Sequence, residues 1–219
     1  MPIVVHHLEQ SRSHRVLWFL EEAGADYDVV TYARDANFRA PPELAQVHPR
    51  GRAPAVEWDG RVLAESGAVL ETLAEAIAPH LIPDRGSDAF HLHRYFLHYA
   101  EGSLMPPLLV GLITGKIADA PVPFFLKPVV RKIAGNVNQA YTSPELVSHA
   151  RFLENHLQAH DWFAGPEMGI ADIQMSYGVL ALRSRAKVPL ETPRIQEWLD
   201  RIQAREAYQA AIRKGGEPF

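Results

Sequence analysis

A strand, a helix and a second strand succeed one another within the first 32 residues, and that succession limits the fold more than any other feature of the chain. "PIVVHHL" is a short apolar run rich in β-branched residues. "SRSHRVLWFLEEAGA" puts Val16, Leu17, Leu20 and Ala23 on one helical face, Gly24 can stop that helix, and "DYDVVTY" returns as a valine-rich strand. Two strands joined through a helix lie parallel, and the crossover between them is right-handed. The stretch "ARDANFRAPPELAQVHPRG" is polar, proline-rich and irregular, with one short helix expected in "PPELAQV". Next, Ala55, Val56 and Trp58 read as a strand, Asp59-Gly60 as a tight hairpin turn into "RVLAE", and Val69, Leu70, Leu73 and Ile77 as the apolar face of a further helix. The expected order is βαβ, a connection, then ββα.

After "APHLIPDRGSD" the pattern changes, and every later segment reads as helix. The longest, "AFHLHRYFLHYAEGSLMPPLLVGLITGKIAD", is interrupted at Pro106-Pro107, where two missing backbone donors predict a kink or break. The expectation is two domains, residues 1–79 with a mixed four-stranded sheet and residues 88–219 all helical. With 47% hydrophobic and 22% charged residues in 219, the chain has the composition of a soluble globular protein. A net charge of −4 leaves no basic surplus to neutralise phosphates, so no nucleic-acid partner is expected. No secretory signal and no apolar run long enough for a bilayer are seen, so no membrane partner and a cytoplasmic location are expected. There is no cysteine, so any thiol chemistry must borrow its sulfur.

One residue sits oddly in this scheme. Pro54 heads the third strand, where it cannot donate a ladder hydrogen bond; the ordinary reading is a trans proline on a sheet edge. Four stretches taken together, "HHLEQSRSHRVLWFLEE", "HPRGRAPAVEWDG", "LAESGAVLETLAE" and "GPEMGIADIQMS", give another reading. In them the chain resembles the glutathione S-transferase family over essentially its full length. The resemblance implies an α/β thioredoxin-like N-terminal domain and an all-α C-terminal domain, with a cis proline at Pro54. A cis bond before proline costs only about 0.5–1 kcal/mol over trans. The backbone of Ala53 would then face a ligand and pair with glutathione as a short added strand.

The family also implies a site. Ser11 matches the position where serine-type members contact sulfur, and its role would be to donate a hydrogen bond to the glutathione thiolate beside a helix N-terminus. Ser13 is the competing assignment, and either serine can serve simply as a helix cap. No histidine at motif spacing is available to take the proton of Ser11, so it is not read as a nucleophile. Glu65 and Ser66 would hold the γ-glutamyl end of glutathione, although an acid at a helix start is favourable without any ligand. Arg52 is a candidate for the glycine carboxylate. His48 is a further candidate, with a solvated loop histidine as its alternative. Glu101 would reach across a dimer interface to a partner's glutathione, or else be a solvated helix glutamate. Tyr95, Phe96, Tyr99, Leu104 and Met105 would line an apolar pocket for the second substrate, though such spacing also fits core.

In "GPEMGIADIQMS" the helix-start aspartate, Asp172, is present, but Gly169 stands at the cap position with no side chain to contribute. The eleven histidines show no metal-binding spacing, and no metal is expected. The implied function is a homodimeric glutathione transferase that ionises the glutathione thiol for attack on a small apolar electrophile, with peroxide reduction a further outcome. The alternative is a non-catalytic binding or assembly protein of the same fold.

Overall fold

The computed structural model describes residues 2–185 and 190–219. Strands β1 (Ile3–Leu8), β2 (Tyr27–Tyr32), β3 (Ala55–Trp58) and β4 (Arg61–Ala64) form one sheet in the order β2-β1-β3-β4. β1 and β2 are parallel in register from Ile3 opposite Tyr27 to Leu8 opposite Tyr32, with helix α1 (His14–Glu22) as the crossover. β3 runs antiparallel to both β1 and β4. Asp59 and Gly60 turn the hairpin with φ of 50° and 72°, the pair of positive values that a two-residue turn of matching twist requires. With α2 (Leu44–Val47) and α3 (Ser66–Ile77), this is the thioredoxin-like arrangement expected.

Helices α4 (Asp88–Tyr99), α5 (Met105–Ala118), α6 (Lys127–Val137), α7 (Ser143–Ala159), α8 (Ile170–Arg185), α9 (Pro193–Gln203) and α10 (Glu206–Gly215) make up the helical part. α1 packs against α8 and α10 as well as against β1 and α3. Periodicity marks only one face of α1, yet every residue from His14 to Leu20 is buried, because the helical part covers the side that the sheet does not. Leu70, Leu73, Phe96, Leu104, Phe163, Ile173 and Trp198 belong to one continuous core spanning both halves.

The expected interruption at Pro106-Pro107 is displaced. A five-residue π segment, Ala100–Leu104, follows α4, and the two prolines lie in the first turn of α5. The wider turn already disrupts the regular bonding ladder there, so the missing proline donors fall where the fewest are needed.

The bare cap at Gly169 has a steric reason. A Cβ on Gly169 would lie 2.7 Å from the Leu81 carbonyl oxygen. Asp172 performs its half of the cap, accepting the Gly169 N–H on Oδ2 at 3.1 Å. Installing the capping side chain, Gly169→Ser, should therefore destabilise the protein by about 1–3 kcal/mol despite completing a capping box. Equilibrium denaturation of the variant checks this; a rise in stability would contradict the steric account.

Candidate active site

A cavity of about 1250 Å³ opens between the C-terminal end of β1 and the helical part. Ser11, Arg12, Arg52 and Ala53 border it on the sheet side, and Leu108, Leu112 and Tyr177 on the helical side. Ser11 lies in the turn between β1 and α1, is 6% exposed, and accepts the Ser13 N–H on Oγ at 3.2 Å. Ser13 is fully buried, and its hydroxyl is occupied with Leu8 backbone atoms and His7. Of the two serines, Ser11 is the one that lines the cavity.

The β1–β3 ladder stops at His6 opposite Ala55. Ala53 therefore lies beyond the last sheet pair, at the cavity edge, followed by a cis Ala53–Pro54 peptide. Arg52 is exposed at the same edge. His48 is half-buried outside this lining and accepts the Arg50 N–H on Nδ1 at 3.4 Å.

Glu65 and Ser66 meet at the start of α3. Ser66 is buried, and its Oγ accepts a hydrogen bond from Arg15 Nη1 at 3.0 Å. That bond occupies a lone pair of the hydroxyl and leaves its hydrogen free to be donated. Arg15 is completely buried, lies 5.5 Å from the centre of the Tyr177 ring, and also donates to Glu101 Oε1 at 2.5 Å. The other Glu101 oxygen accepts from Arg12. Burial alone would raise the Glu101 carboxyl, but Arg15 and Arg12 outweigh it and hold it below the ordinary carboxylate range. Burial likewise pulls Arg15 down, with Glu101 opposing. Glu101 is thus engaged at both oxygens within its own chain, and it neutralises a guanidinium that would otherwise be stranded in the core.

The apolar wall differs from expectation. Met105 does line the cavity, but Phe96, Tyr99 and Leu104 are buried in the core and Tyr95 is half exposed, stacked on Tyr99. Leu108, Leu109 and Leu112 of α5 take their place, joined by Leu146, Tyr177 and Ala181. The change follows from the π segment, which alters the helical phase before α5 begins. Leu108 and Leu112 are four residues apart, so their shared face was readable, but Tyr177 carried no sequence signal. Arg12 was also missed, as was Arg34, which borders the cavity while donating to the carbonyls of Glu9, Gln10 and Phe38.

Residues 2–75 match the family profile "Glutathione S-transferase, N-terminal domain" and residues 119–206 match "Glutathione S-transferase, C-terminal domain". Glutathione S-transferase 1 of Saccharomyces cerevisiae is 36% identical over 224 aligned positions, covering 98% of this chain and 96% of the yeast protein. The chain belongs to the glutathione S-transferase family. Glutathione S-transferase 3 of Schizosaccharomyces pombe is 31% identical, covering 97% of this chain and 87% of that protein. A crystal structure of a glutathione S-transferase from Actinobacillus pleuropneumoniae superposes with a TM-score of 0.76 at 27% identity, over 97% of this chain and 92% of the other.

Within this glutathione S-transferase one backbone position is strained. Glu65 has φ 68° and ψ 116°, a region that side-chain-bearing residues rarely occupy and that costs about 1–3 kcal/mol. Strain of this kind persists only where the surrounding structure holds it, and it clusters at ligand sites. Glu65→Gly should leave the thermal midpoint unchanged or raised while weakening glutathione binding about tenfold, the loss expected for one charge-assisted hydrogen bond. Calorimetric titration alongside thermal unfolding checks it, and undiminished binding would remove Glu65 from the site. Among the described residues, no group of three or more histidine, aspartate or glutamate side chains is placed to hold a metal, and no helix is long and apolar enough to cross a membrane.

Proposed function

We propose that the chain is a glutathione transferase of the serine type, in which residues 1–79 bind glutathione and residues 88–219 supply the electrophile site. The observation that carries the reading is one cavity lined by Ser11, Arg52 and Ala53 on one side and by leucines of α5 on the other. Glutathione pairs its backbone with Ala53 beside Pro54, and its glycine carboxylate meets Arg52, with His48 nearby. Its γ-glutamyl end meets Glu65 and the free hydrogen of Ser66, behind which the Arg15–Glu101 pair holds the hydroxyl in place. Its sulfur lies at Ser11.

A free thiol has a pKa near ~8.5 and is only a few per cent ionised at neutral pH. A charge-assisted hydrogen bond from Ser11 favours the thiolate, which then attacks an electrophile seated against Leu108 and Leu112. The family resemblance further supports a homodimer and a cytoplasmic setting. The test is glutathione binding by calorimetry together with conjugation of a nitro-activated aryl chloride, followed by absorbance. Saturable turnover in both substrates is expected. Absence of glutathione binding would overturn the reading.

A further inference from the structure

A buried chain of hydrogen bonds runs from Ser11 away from the cavity, through the interior, to the end of α10. Ser11 Oγ is 2.7 Å from Ser13 Oγ, Ser13 Oγ is 2.9 Å from His7 Nδ1, and His7 Nε2 is 2.8 Å from the Gly215 carbonyl oxygen. Ser13 and His7 are 0% and 1% exposed, so water does not interrupt the chain.

The direction of each bond follows from its end. The Gly215 carbonyl can only accept, so His7 Nε2 carries a hydrogen. A neutral imidazole then offers Nδ1 as an acceptor, and the Ser13 hydroxyl donates to it. The Leu8 carbonyl, at 3.2 Å, is the longer and competing acceptor for that hydrogen. With the Ser13 hydrogen committed to His7, the Ser11 hydroxyl must donate to Ser13 Oγ. In this chain Ser11 therefore points its hydrogen inward, opposite to what a thiolate needs.

We propose that Ser11 and Ser13 form a proton relay by which buried His7 accepts the proton of the glutathione thiol. The proposal rests on Ser11 being the sulfur contact. The thiol gives its proton to Ser11 Oγ, Ser11 gives its own to Ser13 Oγ, and Ser13 gives its own to His7 Nδ1. No other bond forms or breaks. The sulfur ends as thiolate and His7 as imidazolium, and every hydroxyl has reversed so that Ser11 now donates to sulfur. His7 touches no substrate; it is a positioning residue that sets the direction of the Ser11 hydroxyl and stores the proton.

Two features favour this role. Burial lowers the His7 pKa, against the Gly215 carbonyl and Glu9, which suits the imidazole to accept the Ser13 hydrogen bond, and the imidazolium formed is held by its hydrogen bonds from Nδ1 to Ser13 and from Nε2 to Gly215. His14, facing it from α1, is itself held neutral by burial, with its pKa lowered to about 4, and offers no competing positive charge. The newly formed thiolate then favours the imidazolium by charge attraction. Gly215 is the second feature. A Cβ there would lie 2.4 Å from Leu17 Cδ1 and 2.9 Å from His7 Cε1, so only glycine lets the end of α10 approach closely enough to fix the tautomer.

The test counts protons. Glutathione is added to the full-length protein in weakly buffered solution near neutral pH, thiolate is read from its ultraviolet absorbance, and released protons from an indicator dye. Fewer than one proton released per thiolate is expected for the wild type, because His7 retains it. His7→Gln keeps a side-chain N–H for Gly215 but cannot take a proton. In that variant one proton should be released per thiolate, and the thiolate fraction should fall about tenfold, one unit of thiol pKa, with glutathione affinity little changed. One proton released per thiolate in the wild type would overturn the relay while leaving Ser11 as the sulfur contact. Binding with no thiolate at all would overturn the activity reading and the relay with it.

Discussion

Ser11→Ala is expected to lower kcat/KM for conjugation about 100-fold, the loss typical of removing one donor aimed at a developing anion. Glutathione affinity should change less than about threefold, since the contacts proposed for the peptide lie at Arg52, Ala53, Glu65 and Ser66 and only the ionised sulfur is proposed to depend on this hydroxyl. The variant should still fold, with stability lower by about 1–3 kcal/mol: the buried Ser13 N–H loses the acceptor it has on Ser11 Oγ, while the Ser13 hydroxyl keeps His7 and the Leu8 backbone as partners. Steady-state kinetics with glutathione as the varied substrate, paired with calorimetric binding, separates the two effects. Equal losses in binding and turnover would mean that Ser11 shapes the site without acting on sulfur. Ser13→Ala is the natural companion: it removes a fully buried hydroxyl from beside the Leu8 backbone and severs the path to His7, so stability and thiolate formation should fall together.

The second large effect lies far from the cavity. Asp172 is fully buried and accepts hydrogen bonds from the Phe163 N–H at 3.0 Å, the Gly169 N–H at 3.1 Å and Trp198 Nε1 at 3.0 Å. These tie the start of α8 to the preceding loop and to α9. Asp172→Ala strands three buried donors, so a loss of about 3–5 kcal/mol is expected, or roughly 10 °C in thermal midpoint for a chain of this size. Burial pushes the Asp172 carboxyl up to about 6, only partly opposed by its three donors. A carboxyl whose folded pKa lies above its unfolded one contributes stability that is complete below the unfolded value and fades as pH rises through the folded value. The stability gap between wild type and Asp172→Ala should therefore be wider at about pH 5 than at about pH 7.5, by roughly 1 kcal/mol. Urea denaturation at both pH values reads this directly; a gap that widens with pH would show the carboxyl to be stabilised in its charged form.

Local pattern carried most of the fold because most elements are decided locally. β-branched runs, an Asp-Gly turn and a helical apolar period place β1, α1, β2, the hairpin and α3 without reference to anything distant. What it could not carry were the consequences of packing. One face of α1 is apolar by period, but the burial of His14, Arg15 and Trp18 depends on α8 and α10, more than 150 residues away in the chain. For the same reason Arg15 reads as an ordinary helix arginine, whereas it joins Ser66 to Glu101 across the two halves.

The candidate site was legible where a residue's backbone position does the work. Ser11, Ala53 and Arg52 sit at strand ends, and the cavity forms around them. It was least legible on the helical side, where the π segment at Ala100–Leu104 changes the phase so that Leu108 and Leu112, not Phe96 and Tyr99, face the cavity. His7 lay hidden for a simpler reason. Strand alternation sends His6 and His7 to opposite faces, but nothing local says that the face of His7 will meet both the turn of Ser13 and the end of α10.

The most direct measurement is a pH titration of the thiolate absorbance of glutathione bound to the wild-type protein. If Ser11 donates to sulfur, the bound thiol should titrate at least one unit below the ~8.5 of a free thiol, which is a tenfold gain in thiolate at neutral pH. A bound thiol that titrates where free glutathione does would mean that the protein holds the peptide without activating it, and would contradict the assignment of this cavity as a catalytic site.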